Sequence, residues 1–159
     1  MSQRLYKFLC EDSNYKEWSI LDEASLEEVY HNQKTDLPEE NMKVFKDFNP
    51  LQCKLINQDV FTFTNANNIE VRHSTTKTMK YIPGVLKLQG NQTYGKFKDK
   101  YYYRCCPDDK RFPEFLVAYK MKSIGFSKNQ TDLFVLFTYK EWTDKHPVGT
   151  LSNTIGSVD

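Results

Sequence analysis

The second half of the chain is a succession of short strand-like runs, each ended by residues that favour turns. Runs such as Phe115–Tyr119 (FLVAY) and Leu133–Trp142 (LFVLFTYKEW) alternate with breaks at Pro, Gly, Asn and Asp. Five or six such strands within about 75 residues leave too little chain for helical crossovers between parallel strands. A closed sheet also removes the exposed edges that short strands would otherwise present. The pattern predicts a small closed β-barrel.

The first half has fewer strand-like runs and two helical ones. Arg4–Cys10 and Glu17–Leu21 predict a β-hairpin. Ser25–Tyr30 begins with a capping-box arrangement, and Pro38–Phe48 has proline in its first turn and apolar residues at helical spacing. Both patterns predict short helices. We therefore expect two domains, residues 1–78 and residues 79–159, the first being a divergent version of the second.

The charges are unevenly distributed between these halves. Residues 1–78 carry nine Lys/Arg and thirteen Asp/Glu, a net charge of −4, whereas residues 79–159 carry thirteen and eight, a net charge of +5. Such asymmetry is typical of two units with different duties. We expect the basic unit to face a polyanion and the acidic N-terminal half to be a candidate surface for a protein partner.

The strongest concentration of positive charge coincides with a concentration of aromatic rings. Between Lys80 and Lys122 there are ten Lys/Arg, four Asp/Glu and nine aromatic residues, and the stretch Tyr94–Tyr119 contains most of them. Cations that neutralise phosphates, interleaved with rings that stack on bases, are typical of single-stranded nucleic-acid binding. The alternative is a plain hairpin whose rings pack in the core and whose lysines are solvated. Composition alone leaves both open.

If the stretch binds nucleic acid, its rings and cations divide into two sets of candidate RNA-binding residues. Strand alternation would expose only one face, with Tyr101 and Tyr103 together on one side and Phe97 opposite Lys96 and Lys98. The stacking candidates are Tyr94, Phe97, Tyr101 and Tyr103. The phosphate-binding candidates are Lys96, Lys98, Lys100, Arg104, Lys110 and Arg111.

Patterns of catalytic and metal sites are scarce. The chain has neither a G-x-S-x-G motif nor a glycine-rich phosphate loop, and its four cysteines form no C-x-x-C pair. We expect no catalytic residue, metal site or cofactor in this chain. Its apolar runs are too short to cross a bilayer, and no secretory signal opens the sequence. We therefore expect no membrane partner and an intracellular protein, cytoplasmic or nuclear.

Residues 82–156 carry motifs that resemble a known family. The sequence reads IPGVLKLQGNQTYGKF, then PDDKRFPEFLV, FVLFTYKEW and HPVGTLSNTIG. These segments resemble the second cold-shock domain of the ribonuclease II / ribonuclease R (RNB) family of 3′→5′ exoribonucleases, which includes exosome-associated members. The matching positions are Gly84-Val85-Leu86, Tyr94-Gly95, Asp109–Pro113, Trp142, Pro147–Gly149 and Ile155-Gly156.

Upstream, Lys54–Phe61 resembles the start of the family's first cold-shock domain, with Gln58 where the family has glycine, and residues 1–50 show no resemblance. The resemblance implies two tandem OB-fold (cold-shock-like) five-stranded barrels, the first divergent with short helical insertions. It further implies that the barrels hold single-stranded RNA and guide it to a catalytic RNB domain of the same parent polypeptide, where Mg²⁺ acts.

The expected function is therefore single-stranded RNA binding by the N-terminal portion of such an exoribonuclease. The family's catalytic domain would follow Gly156, so we expect this chain to be inactive as a hydrolase by itself. The alternative is a stand-alone OB-fold module for protein interaction or structure, without nuclease activity.

Overall fold

The structure, a computed structural model, describes residues 3–65, 68–90, 92–121 and 131–158. It is mainly β, with 45% strand and 8% helix. The chain divides into two compact units. The first comprises residues 1–76 and Lys110–Phe112, and the second comprises residues 77–109 and 113–159. No helix among the described residues is long and apolar enough to cross a membrane.

The first unit is a five-stranded antiparallel sheet. Its strands are β1 (Tyr6–Cys10), β2 (Trp18–Asp22), β3 (Glu28–His31), β4 (Val60–Asn65) and β5 (Asn68–His73). They lie in the order β3-β2-β1-β4-β5. Within the described residues β3 and β5 do not pair with each other, so this sheet stays open. Two barrels were expected, and the structure shows one closed barrel, in the second unit.

Helix α1 (Glu39–Phe45) begins directly after Pro38 and covers the aromatic core of the sheet. Phe45 is 1% exposed, and its ring centroid lies 5.4 Å from that of Tyr6 and 5.6 Å from that of Tyr30. Phe61, buried on β4, continues this cluster through its contact with Tyr6. Because aromatic packing of this kind dominates core energetics, the contacts of Phe45 stabilise the helix against the sheet. A second helix, α2 (Thr75–Thr78), makes one turn.

The helix predicted over Ser25–Tyr30 is wrong. The carboxylate of Asp22 accepts hydrogen bonds from the backbone N–H groups of Ala24 and Ser25, which makes a turn rather than a helix start. Leu26 has φ of 60° within that turn. Residues beyond it pair with β2 as strand β3, because burying valine and tyrosine against the sheet outweighs a local capping pattern.

The second unit contains the closed barrel. Its strands are β6 (Ile82–Leu86), β7 (Lys96–Phe97), β8 (Lys100–Pro107), β9 (Phe115–Tyr119), β10 (Leu133–Glu141) and β11 (Val148–Ser157). They lie in the order β6-β10-β11-β9-β8-β7, and pairing of β6 with β8 closes five of them into a ring. The pair β9–β11 is parallel and all other pairs are antiparallel. Among the described strands, β7 pairs with β8 alone and lies outside the ring.

The barrel interior is filled by aromatic and branched side chains. Phe115 and Phe137 are fully buried with ring centroids 5.0 Å apart, and Val117 and Val135 lie fully buried on the same two strands. Gly149 is needed for this packing, since a Cβ there would lie 2.7 Å from Cδ2 of Phe137. The barrel therefore has a packed core, and any binding occurs on its outer face or at its ends.

Candidate nucleic-acid interface

The hairpin β7–β8 brings the basic and aromatic residues to the barrel surface. Lys96 pairs with Tyr101 and Phe97 with Lys100, and the connecting turn has Lys98 at φ of 56°. Upstream, the pairing continues through hydrogen bonds from Tyr102 N–H to the Gly95 carbonyl and from Tyr94 N–H to the Tyr102 carbonyl, both 2.9 Å. The backbone therefore presents the lysines of the hairpin to solvent.

Alternation along β8 decides which rings are available. Tyr103 is 4% exposed and Cys105 is fully buried, so these positions face the barrel interior. Tyr102 and Arg104 therefore face outward. Tyr103 therefore offers little ring surface for the stacking role predicted for it, and its ring packs edge-on against Tyr119 with the centroids 6.5 Å apart. Burial raises the pKa of the Tyr103 hydroxyl above its usual value.

Three of the predicted stacking residues remain accessible. Tyr101 is on the same side of β8 as Tyr103, as expected, but it lies at the start of the strand and is 45% exposed. Phe97 is 37% exposed, and Tyr94 is half-buried. Lys96 lies above the Tyr101 ring, with Nζ 5.9 Å from the centroid. Accessible rings with adjacent cations are suited to a polyanion that carries flat bases.

The outward rings meet at one small cavity, which we call the basic–aromatic pocket. The centroids of Phe97 and Tyr102 lie 6.1 Å apart, and Lys140 on β10 places Nζ 4.4 Å from the Phe97 centroid. The cavity has a volume of about 120 Å³. Its lining residues, all in the second unit, are Phe97, Lys100, Tyr102, Ala118, Lys140, Val148, Gly149, Thr150 and Leu151.

The other residues predicted to bind phosphate do not all lie at the pocket. Lys98, exposed, has Nζ 5.4 Å from the Phe97 centroid and so adds to the charge at the pocket. Arg104 forms an ion pair with Glu114 at 3.5 Å, which offsets part of its charge. Lys110 and Arg111 are exposed, but they belong to the segment that groups with the first unit and are not assigned to the barrel surface.

Sequence reasoning missed several residues of the pocket. Tyr102 was passed over because only the barrel's closure reveals which of three consecutive tyrosines faces outward. Lys140 and Thr150 lie on β10 and β11, distant in sequence from the hairpin, and no local signal links them to it. Outside the pocket, Lys120 lies between Lys80 and Lys122 and could have been included among the candidate phosphate-binding residues. It pairs with Asp99 at 3.1 Å and holds the pKa of that carboxyl below its usual value.

Metal ligands and thiols are the remaining groups of chemical interest in the described part of the chain. That part contains no group of three or more His, Cys, Asp or Glu residues arranged to hold a metal ion. The Mg²⁺ that the resemblance implies therefore has no ligand set among these residues. Burial raises the pKa of the Cys10 thiol to about 11 and raises that of Cys105 as well, so both thiols are protonated near neutral pH and are poor nucleophiles.

A second cavity lies within the first unit. It has a volume of about 290 Å³ and lies beside Trp18 and Phe48, whose ring centroids are 5.9 Å apart. Lys46 and Asp47 both line it, so the cavity carries no strong charge of one sign. Its described lining residues do not show the cation excess of the basic–aromatic pocket.

No protein-family model matches this sequence, and no curated protein matches it either. The assignment of function therefore depends on the geometry of the barrel and of the pocket.

Proposed function

We propose that this chain binds single-stranded RNA on the outer face of the barrel formed by β7, β8 and β9. The observation that carries the proposal is the clustering at the edge of that face of Phe97 and Tyr102 with the ammonium groups of Lys98 and Lys140 and with Lys100, which lines the same cavity. The lysines neutralise phosphates, and the rings stack on bases without requiring a particular sequence.

The strand order supports an OB-type barrel. Counted within the second unit, β6, β8, β9, β10 and β11 are strands one to five, and the parallel pair joins the third and fifth. OB folds bind oligonucleotides on the second and third strands and on the loops between strands one and two and between four and five. Here those strands are β8 and β9, and the first of those loops includes Phe97 and Lys98.

The strand order of the first unit supports its interpretation as a divergent OB-type fold. Its strand order is that of the barrel opened between the third and fifth strands, with α1 inserted before the fourth. Gln58, which occupies the position of the family's glycine, has φ of 74°. Backbone in this region is what glycine adopts without strain. The backbone conformation at Gln58 therefore supports the resemblance to the family, although the residue itself differs from the family's glycine.

We further propose that the chain is the N-terminal portion of a ribonuclease II/R-type 3′→5′ exoribonuclease. In this role it would hold RNA and guide it to a catalytic RNB domain of the parent polypeptide. Cleavage would take place in that domain with its Mg²⁺, and this chain would bind RNA without hydrolysing it.

The test is a titration of fluorescein-labelled oligo(U) and oligo(A) RNA at low salt. If about four phosphates are neutralised, the logarithm of the association constant falls with log salt at a slope of about −3. The double variant Lys98→Glu/Lys140→Glu should weaken binding at least about tenfold. The matched control Lys16→Glu/Lys43→Glu makes the same charge change at exposed positions of the first unit and should have little effect.

The alternative, a protein-interaction module, predicts a different result. Under that hypothesis single-stranded RNA does not bind the wild-type chain at low salt, or it binds both double variants equally. Either result would remove the proposal.

A further inference from the structure

One lining position of the basic–aromatic pocket carries a side chain of a single methyl group. Ala118 on β9 lies directly beside Tyr102 on β8, and both face outward. A larger residue at position 118 would fill the space between the Tyr102 ring and the β11 backbone at Val148–Leu151. The methyl group of Ala118 therefore leaves space that a larger side chain would occupy.

The size of the cavity limits what can enter it. Its volume of about 120 Å³ is well below the roughly 300–1,000 Å³ of pockets that enclose drug-sized ligands. A volume of this size suits a single planar ring. Two of its walls, Phe97 and Tyr102, are themselves flat rings tilted by 41° to each other.

The charged groups that line the cavity are hydrogen-bond donors, and a hydroxyl beside them can donate or accept. Lys100 and Lys140 contribute ammonium groups, which donate only, and Thr150 contributes a hydroxyl. No carboxylate is among the described residues that line the cavity. Two ammonium donors favour a ring whose exocyclic groups are both carbonyl acceptors, as in uracil, over one whose exocyclic group is an amino donor, as in adenine.

We propose that one unpaired base of the bound strand enters the pocket over Ala118, and that the pocket prefers uracil to adenine. The inference rests on the proposed RNA binding and adds its base preference. The entering base contacts the faces of Phe97 and Tyr102 and takes the position that the Lys140 ammonium occupies above Phe97. The displaced ammonium then donates a hydrogen bond to a base carbonyl or pairs with the adjacent phosphate.

The deciding experiment compares oligo(U) and oligo(A) RNA of equal length on the wild-type chain and on Ala118→Leu. The wild type should bind oligo(U) roughly five- to tenfold more tightly, which corresponds to about one well-placed hydrogen-bonded contact. Ala118→Leu fills the cavity without changing charge. It should bring oligo(U) affinity down to that for oligo(A) and leave the salt slope unchanged, because the phosphate contacts remain.

Two further variants control for folding. Thr154→Leu places leucine at an exposed position of β11 outside the pocket and should preserve the preference for oligo(U). Phe97→Ala removes an exposed wall of the pocket and should abolish the preference even if Ala118→Leu fails to fold.

The outcomes separate the two proposals. If the wild type binds neither RNA at low salt, the proposed function itself is wrong. If it binds both equally, or if neither Ala118→Leu nor Phe97→Ala reduces its preference, RNA binding stands and the base pocket is overturned.

Discussion

Lys140 of β10 lies over the face of Phe97 of β7, with 4.4 Å between Nζ and the ring centroid. The contact joins two segments that are distant in sequence and meet only because the barrel closes. A cation over an aromatic face is attracted by the ring's quadrupole, and it remains available for a phosphate. The pair thus combines the two elements of single-stranded nucleic-acid binding in one contact.

Replacing that cation should weaken RNA binding and reduce its dependence on salt. Lys140→Met retains most of the side chain and removes the charge, so affinity for single-stranded RNA should fall while the fold is unaffected. The slope of log affinity against log salt should become shallower by about 0.7, the value for one phosphate contact on a single strand. Lys80→Met, an exposed lysine of the same unit, is the control. An unchanged slope for Lys140→Met would argue against its contact with phosphate.

The tyrosines at 102 and 103 should have opposite phenotypes. Tyr102→Ala removes an outward ring and should cost about 1–3 kcal/mol of RNA-binding free energy with little change in thermal stability. Tyr103→Ala removes a core ring and should lower the free energy of unfolding by about 3 kcal/mol or more. Fluorescence titration and thermal denaturation on both variants measure the two effects. If the two variants lost RNA affinity equally and were equally stable, the result would contradict the alternation of inward and outward side chains along β8.

The two glycines of β11 should respond differently to a methyl group. Gly149→Ala would bring Cβ to 2.7 Å from Phe137 Cδ2 and 2.9 Å from the Thr138 carbonyl oxygen, so the barrel should lose about 1–3 kcal/mol of stability. At Gly156 nothing lies within 4 Å of the added Cβ, and Gly156→Ala should be close to neutral. Chemical denaturation of both variants checks this, and a neutral Gly149→Ala would show that β11 can shift away from β10.

Replacing Gln58 with glycine, the residue that the resembling family has at this position, should stabilise the protein. Its φ of 74° is strained for a side chain with a Cβ, so Gln58→Gly should raise the free energy of unfolding by about 0.5–1 kcal/mol. Gln52, exposed in the preceding turn and without a positive φ, is the control, and Gln52→Gly should be neutral or slightly destabilising. Destabilisation by Gln58→Gly would indicate that the Gln58 side chain contributes packing that outweighs its backbone strain.

Local sequence patterns were sufficient to predict most of the strands. Phe115–Tyr119 was predicted with the observed bounds, and Leu133–Trp142 differs from β10 by one residue. These runs are apolar and branched or aromatic, so propensity and burial favour the same conformation. The basic–aromatic composition of Tyr94–Tyr119 was likewise readable without a structure.

Strand β11 was the principal omission. The sequence predicts no strand there, because Val148–Ser157 contains two glycines, two serines and two threonines and shows no regular alternation. Its register with β10 is interrupted by bulges, which remove the period-two pattern. It is a strand because β10 and β9 lie on either side of it and pair with its backbone.

The sequence by itself determined that this protein is built of short strands and that one hairpin is rich in cations and rings, since both follow from neighbouring residues. The tertiary structure decided which of those rings are usable. Closure of the barrel turned Tyr103 inward and Tyr102 outward, and brought Lys140 and Ala118 to Phe97. The orientation of a side chain on a strand depends on which face of the sheet is buried, and that is set by strand pairings far apart in sequence.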